Sequence, residues 1–369
     1  MNNELMIPTI SDMITRSDTP EYIKDTIKKI RNIIEYDIEV YNLLYLNNLI
    51  KEKDRKNNKN PIEIKFHGSY NRHTGSFFFR KIEQSDIDMY LKIGDYYSSP
   101  SIFKNRNQVD KNFNEFKDQW SSGIYNNFWF NNDDGGISYI PISHFAKFKR
   151  DLTNYLIKTL KNNCEVQDSN KVIKIRTGNL TIELAICGAF CLQLKNSFKG
   201  FELVKKIKKY FKDKESNGEY LFSEDNNSLT IYGINVITSD LKEIQNFPIL
   251  NEKFIRLKNS ATDGWFSSYV RFFKNFIKFI NLNTEEKIPL SSFHIECILY
   301  NINDKFFLAL NSENAKYYLK NIVLEILNTS ENDFKYINEI NDLIRINKKI
   351  SYFDFKESML IIQKYIKSY

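Results

Sequence analysis

The sequence predicts an α+β protein whose first half carries the strands and whose second half is mainly helical. Three observations predict it. The apolar period switches from helical to alternating at Ile62. Two β-like runs, Val172–Arg176 and Leu180–Ile186, flank Thr177-Gly178-Asn179, a turn signal for a hairpin. Beyond residue 198, apolar residues recur mostly at spacings of three and four.

Thr19 followed by Pro20 is a good helix start, with the proline at the first helical position. Ile23, Ile27, Ile30 and Ile34 then share one helical face, and Leu43, Leu44, Leu46 and Leu49 extend the pattern. Residues 20–51 therefore read as one long or bent amphipathic helix. A polar connector, 51–61, leads to a strand in which Ile62, Ile64 and Phe66 alternate with polar residues. That strand runs into His67-Gly68-Ser69-Tyr70, and a second strand is read from Asp86 to Ile93. Residues 95–141 are rich in Asn, Asp, Ser and Gly and are expected to form an insertion or mobile loop. Phe145, Phe148, Leu152, Leu156 and Leu160 place a helix at 143–162. Further helices are expected near 198–212, 264–281, 291–302, 313–328 and 354–368, with strand character at Tyr220–Val236.

The composition bounds the chemistry. The 369 residues, 42% hydrophobic, can bury a large core. The 53 basic against 46 acidic residues give a modest positive excess, which permits a polyanionic ligand without requiring nucleic acid. Cys164, Cys187, Cys191 and Cys297 lack metal-ligand spacing, as do the four histidines, so neither a zinc site nor a disulfide framework is expected. With no signal-peptide pattern and no run of about 20 apolar residues, a cytoplasmic location off the membrane is expected.

The residues that carry chemistry are Gly68-Ser69-Tyr70, Thr74 and Ser85-Asp86-Ile87-Asp88. Residues two apart in a strand share a face, so Asp86 and Asp88 project together while Ile87 turns to the core. Two carboxylates so placed repel, and ionise together most easily around a divalent cation. Hard oxygen ligands suit Mg²⁺, or Mn²⁺ in its place. Gly68 allows close backbone approach to a phosphate, and Ser69 can open a helix whose free N–H groups face it. Glu183 stands as the one acid in an otherwise nearly apolar strand and would complete a two-metal site. The competing reading of Glu183 is a structural acid paired with an arginine such as Arg176.

In this order the G-S-Y, Thr and S-D-I-D residues resemble the nucleotidyltransferase core shared by poly(A) polymerases, oligoadenylate synthases and cyclic GMP–AMP synthase. The nearer likeness is to the bacterial cGAS/DncV-like enzymes of the polymerase-β-like superfamily. Lys258–Trp265 followed by Tyr269–Lys274 resembles that family's N…T-x-G…V-R-x-x-K segment, and Pro289–Glu296 its P-S-x-x-x-E helix start. The resemblance implies a bilobed molecule. Residues 1–195 form a catalytic lobe with the long N-terminal helix and the 95–141 insertion, and 196–369 form a mainly helical lobe, with nucleotides bound between them. It implies metal ligation by Asp86, Asp88 and Glu183, and nucleotide binding by Gly68, Ser69, Lys274 on the triphosphate and Asn259. It departs from the family at Glu183, where Asp is usual.

The resemblance further implies synthesis of a cyclic di- or trinucleotide from nucleoside triphosphates, with release of pyrophosphate, in anti-phage signalling. Some members are switched on by a regulatory protein. The rival expectations are an RNA-tailing or toxin-type transferase acting on a macromolecule, and a nucleotide-binding pseudoenzyme. Lys274 otherwise reads as part of a solvated helix face, Asn259 as a cap or turn residue, and Ser291 and Ser292 as N-caps.

Overall fold

The computed structural model describes residues 8–14, 21–50, 62–66, 85–98, 127–131, 137–161, 163–178, 180–195, 222–225, 228–340 and 346–367. They divide into two compact units. One holds the sheet, within Thr19–His67 and Gln84–Ile249; the other holds the C-terminal helices of Leu250–Tyr369 and one short N-terminal helix.

The sheet unit is organised by two long strands, β2 (Ser85–Ser98) and β7 (Leu180–Lys195), which pair in parallel. Each is flanked on its outer side by shorter strands. Against β2 lie β1 (Ile62–Phe66) and β3 (Asn127–Asn131), and β3 continues the sheet to β4 (Ile137–Pro141). Against β7 lie β6 (Ile173–Thr177), which pairs with β5 (Glu165–Asp168), and β9 (Ser228–Ile237), which pairs with β8 (Phe222–Asp225) and β10 (Glu243–Asn246). Every pairing but β2–β7 is antiparallel. A parallel pair needs a crossover, and the helix α4 (Ile142–Leu160) lies in the β2–β7 connection and packs along β7 and β9.

Alternation gives the sheet two distinct faces. Ile87, Met89, Leu91, Ile182, Leu184, Ile173 and Ile175 form one face, all buried, as are Phe145, Phe148, Leu152, Leu156 and Leu160 of α4. Lys149 of α4 is also fully buried. Its ammonium pairs with Asp168 at 2.8 Å and donates to the carbonyls of Ser169 and Asn170 and to Ser239 Oγ, so the β5–β6 corner is tied to the helix. The other face carries a smaller apolar cluster of Tyr90, Ala185, Cys187, Ile234 and Val236.

Several expectations change. The stretch 20–51 is two helices, α2 (Glu21–Tyr36) and α3 (Ile38–Leu46), rather than one. Asp37 leaves the helical region at φ −78°, ψ 127°, and its Oδ1 accepts the Glu39 N–H at 3.0 Å, while Tyr155 Oη donates to Oδ2. Asparagine- and aspartate-rich flanks hid the strands β3 and β4 within 95–141. Their cores, Phe128-Trp129-Phe130 and Ser138-Tyr139-Ile140, are aromatic and β-branched enough to pair. The sheet also runs past residue 195, because β9 pairs with β7 from Cys187 to Lys195. The expected helix at 198–212 lies outside the described residues.

The helical unit is built from α5 (Pro248–Ala261), α6 (Trp265–Asn283), α7 (Ser292–Tyr300), α8 (Ala315–Leu327), α9 (Glu331–Phe334) and α10 (Tyr352–Lys367). Helix α6 is its core, burying Phe266, Tyr269, Val270, Phe272, Phe273 and Phe276. The short helix α1 (Ile10–Ile14) docks on it. Arg271 Nε donates to the Ile14 carbonyl at 2.6 Å, and Asn275 Nδ2 to that of Met13 at 2.8 Å. These side chains satisfy carbonyls that a five-residue helix leaves exposed.

Candidate active site

The parallel register of β2 and β7 sets the site. Asp86 lies opposite Thr181, and Asp88 opposite Glu183. On the outer side of β7, Arg176 lies opposite Thr181 and Lys174 opposite Glu183. Laterally paired residues project from the same face. Two rows therefore cross three strands, Asp86–Thr181–Arg176 and Asp88–Glu183–Lys174. They run along the face opposite the α4-side core, next to the Tyr90–Cys187 cluster.

The side chains fill in part of this frame. Glu183 Oε1 meets Lys174 Nζ at 2.9 Å, and both side chains keep partial exposure, 24% and 32%. Arg176 reaches Glu165 instead, at 3.4 Å. The competing structural reading pairs Glu183 with an arginine such as Arg176; the hairpin register gives it Lys174. Thr181 is buried, and its Oγ1 has no hydrogen-bond partner among the described residues. Farther along the same face, Glu63 binds both Lys65, at 2.6 Å, and Lys92, at 3.3 Å. These cations hold the Glu63 carboxyl below its ordinary value against the opposing effect of burial. Cys187 is sealed in the apolar cluster, and desolvation pushes its thiol far up, so it remains a neutral thiol.

The donor set of these rows is hard oxygen: two strand aspartates, one glutamate and a buried hydroxyl. That chemistry fits a divalent cation that retains water, and the Thr181 hydroxyl, unpartnered among the described residues, can accept from or donate to a bound water. Only the backbone of Asp86 is described, and among the described residues no three acidic, His or Cys side chains are gathered into a metal cluster. Gly68 and Ser69 lie outside the described residues.

The other two expected nucleotide contacts, Asn259 and Lys274, lie in the helical unit and are engaged there. Asn259 Oδ1 accepts the Ser267 N–H at 3.0 Å, and its carbonyl accepts the Gly264 N–H at 2.7 Å. Thr262 Oγ1 accepts the Phe266 N–H at 3.1 Å. Gly264, at φ 85°, turns the chain in a conformation that favours glycine. The N…T-x-G pattern thus builds the α5–α6 corner and caps α6. Lys274 is buried against Glu296 of α7, itself fully buried, so the alternative reading of a solvated helix face does not hold. Ser291 is the N-cap of α7, in a capping box with His294.

Known proteins share parts of this chain's sequence and its fold. Residues 253–367 match the cGAS/DncV-like nucleotidyltransferase C-terminal helical domain. The cyclic nucleotide synthase CdnE01 of Staphylococcus haemolyticus is 26% identical over 261 residues, covering 69% of this chain and 68% of that protein. The fold matches the Rhodothermus marinus CdnE c-UMP-AMP synthase solved with Apcpp and Upnpp. There the TM-score is 0.57 at 15% identity, over 97% of each chain. The chain thus resembles the cGAS/DncV-like nucleotidyltransferases in its C-terminal helices and in its fold. The Vibrio cholerae DncV cyclic AMP-GMP synthase, solved with the linear intermediate 5′ pppA(3′,5′)pG, shares the fold at TM-score 0.53 and 11% identity. That match covers 98% of this chain and 90% of DncV. The fold shared with these structures is the polymerase-β-like one, a mixed sheet joined to a helical C-terminal domain.

Sequence reasoning missed Lys174. It also missed Lys149, a lysine at helical spacing from Phe145 and Leu152 on the apolar face of α4. The hairpin itself carried the signal for Lys174. With Thr177 and Leu180 as the closing pair, counting outward sets Lys174 against Glu183.

Proposed function

We propose that this protein is a template-independent synthase that joins nucleoside triphosphates into a cyclic di- or trinucleotide and releases pyrophosphate. The observation that carries the reading is the shared register of Asp88 and Glu183 on two parallel strands, with Asp86 one pleat away, in a chain that resembles these synthases. Asp86, Asp88 and Glu183 would hold the divalent cations, Mg²⁺ or Mn²⁺. When bound, these supply charge neutralisation for the triphosphate and a lowered pKa for the acceptor ribose hydroxyl.

The chain's own residues do the rest. Asp86 and Asp88, from one strand, fix the position of the donor phosphates. Glu183, across the strand pair, faces the acceptor. Gly68 and Ser69 cradle phosphate oxygens through backbone N–H groups and a hydroxyl. The buried apolar core beneath the sheet holds both strands at one register, so reacting groups are oriented before chemistry. Lys274 keeps a proposed role towards the triphosphate, which it can fill only by loosening its contact with Glu296.

Among the described residues no helix is long and apolar enough to cross a membrane. A cytoplasmic location, a regulatory protein partner and a role in anti-phage signalling complete the proposal; they rest on the family resemblance. The test is incubation with all four triphosphates and Mg²⁺ or Mn²⁺, followed by mass spectrometry. A phosphatase-resistant product without a terminal phosphate is expected. RNA ends that grow only when RNA is supplied would replace the reading with a tailing activity.

A further inference from the structure

Glu183 sits between opposite neighbours. On one side of its row stands the acid Asp88, on the other the cation Lys174. Strands are about 4.8 Å apart, so the two carboxylates of this row repel when no cation lies between them. Lys174 relieves that repulsion by binding Glu183 Oε1 at 2.9 Å. A divalent cation held by Asp88 and Glu183 would need the same carboxylate.

We propose that Lys174 is a positioning residue of the metal site, holding the Glu183 carboxylate in the metal-free protein and ceding it when a divalent cation enters. The inference rests on the metal-ligand reading of Glu183 and deepens it. Three features suit Lys174 to exchange. Its side chain is a flexible stem ending in a point charge, whereas an arginine fork would hold the carboxylate at two points. The pair is partly exposed, so the displaced ammonium can move into water. The neighbouring cation, Arg176, is engaged by Glu165 and does not take its place. Glu183 is also one methylene longer than the usual aspartate, which lets one carboxylate serve a cross-strand lysine or a cation on its other side.

A competing ammonium weakens metal binding, so removing it should tighten binding. Mn²⁺ affinity of the full-length protein, read from the electron paramagnetic resonance signal of the free ion, tests this without substrate turnover. Lys174→Met should bind Mn²⁺ about tenfold more tightly than wild type, equivalent to about 1.4 kcal/mol. It should also melt lower than wild type in EDTA, because Glu183 then loses its ammonium partner while standing beside Asp88. Lys174→Arg should restore wild-type or weaker Mn²⁺ affinity, since the charge returns with a firmer grip. Asp88→Asn is the control for the site itself. Mn²⁺ binding that survives Asp88→Asn would overturn the metal-site reading, and this inference with it. Asp88-dependent binding in the wild type with unchanged or weaker affinity in Lys174→Met would overturn the role of Lys174 alone. A raised KM for triphosphate at unchanged Mn²⁺ affinity would move Lys174 to the substrate phosphates.

Discussion

Two lysine–glutamate pairs divide the molecule's chemistry. Lys274 and Glu296 meet inside the helical unit with side chains 7% and 0% exposed, while Lys174 and Glu183 meet on a sheet face at 32% and 24%. A buried pair is bound by its surroundings: losing either partner strands a charge where water cannot reach it. A partly exposed pair contributes little to stability, and each partner can be solvated alone. The first arrangement holds helices α6 and α7 together. The second leaves a carboxylate available for exchange beside Asp88. The same two residue types therefore serve structure in one unit and, on the proposed reading, chemistry in the other, and burial makes the difference.

The largest effect expected in either unit is on activity. Asp86→Asn combined with Asp88→Asn should lower product formation at least a thousandfold, on the order of 4 kcal/mol in the barrier. The circular dichroism spectrum should stay that of the wild type. Full activity in the folded double variant would dissolve the functional half of the comparison.

Next comes the buried pair. Glu296→Ala should destabilise the helical unit by about 3–5 kcal/mol, because Lys274 is left buried without its carboxylate. Urea unfolding followed by tryptophan fluorescence, with Trp265 at the start of α6, reads this directly. A loss below about 1 kcal/mol would mean that the pair behaves like an exposed one.

The two pairs were not equally legible in the sequence. Alternation through Ile62–Phe66, Asp86–Ile93 and Leu180–Ile186 revealed the strands, and with them the shared face of Asp86 and Asp88, because a period of two survives any tertiary context. The position of Glu183 beside Asp88 was not readable. It depends on a parallel register fixed by a crossover more than eighty residues long, and local pattern carries no information about it. The alternative reading of Lys274, a solvated helix face, arose because Lys278 follows one turn later, whereas Glu296, which buries it, comes from another helix. The helix break at Asp37 was hidden because apolar spacing continues on both sides of it.

A smaller effect separates capping from substrate contact at Asn259. Asn259→Ala should destabilise the helical unit by about 1 kcal/mol, the typical worth of an N-terminal cap, and leave the apparent KM for triphosphate unchanged. A several-fold rise in KM without loss of stability would return Asn259 to the nucleotide.

A further effect, seen only above neutral pH, belongs to the sheet unit. Burial pushes the Glu243 carboxyl up to about 7 from an ordinary 4.5, against the lowering effect of the Asn235 amide that donates to it. A raised carboxyl favours the folded state while protonated, so this contribution is full below pH 4.5 and is lost as pH rises through 7. Glu243→Gln should therefore match wild-type stability near pH 4 and exceed it by roughly 1–3 kcal/mol at pH 8. Parallel pH–stability curves for the two proteins would show that Glu243 ionises normally.

Glu183→Gln tests the contrast between the pairs most directly, measured in one preparation by thermal melting in EDTA and by transfer from triphosphates with Mn²⁺. Its partner Lys174 is partly exposed and can turn to water, so the melting free energy should change by no more than about 1 kcal/mol. Transfer should fall at least a hundredfold, about 2.7 kcal/mol in the barrier, because on the proposed reading the carboxylate that would face the acceptor is gone. A variant that melts far below the wild type yet retains its transfer activity would contradict the account, making Glu183 a structural acid like Glu296.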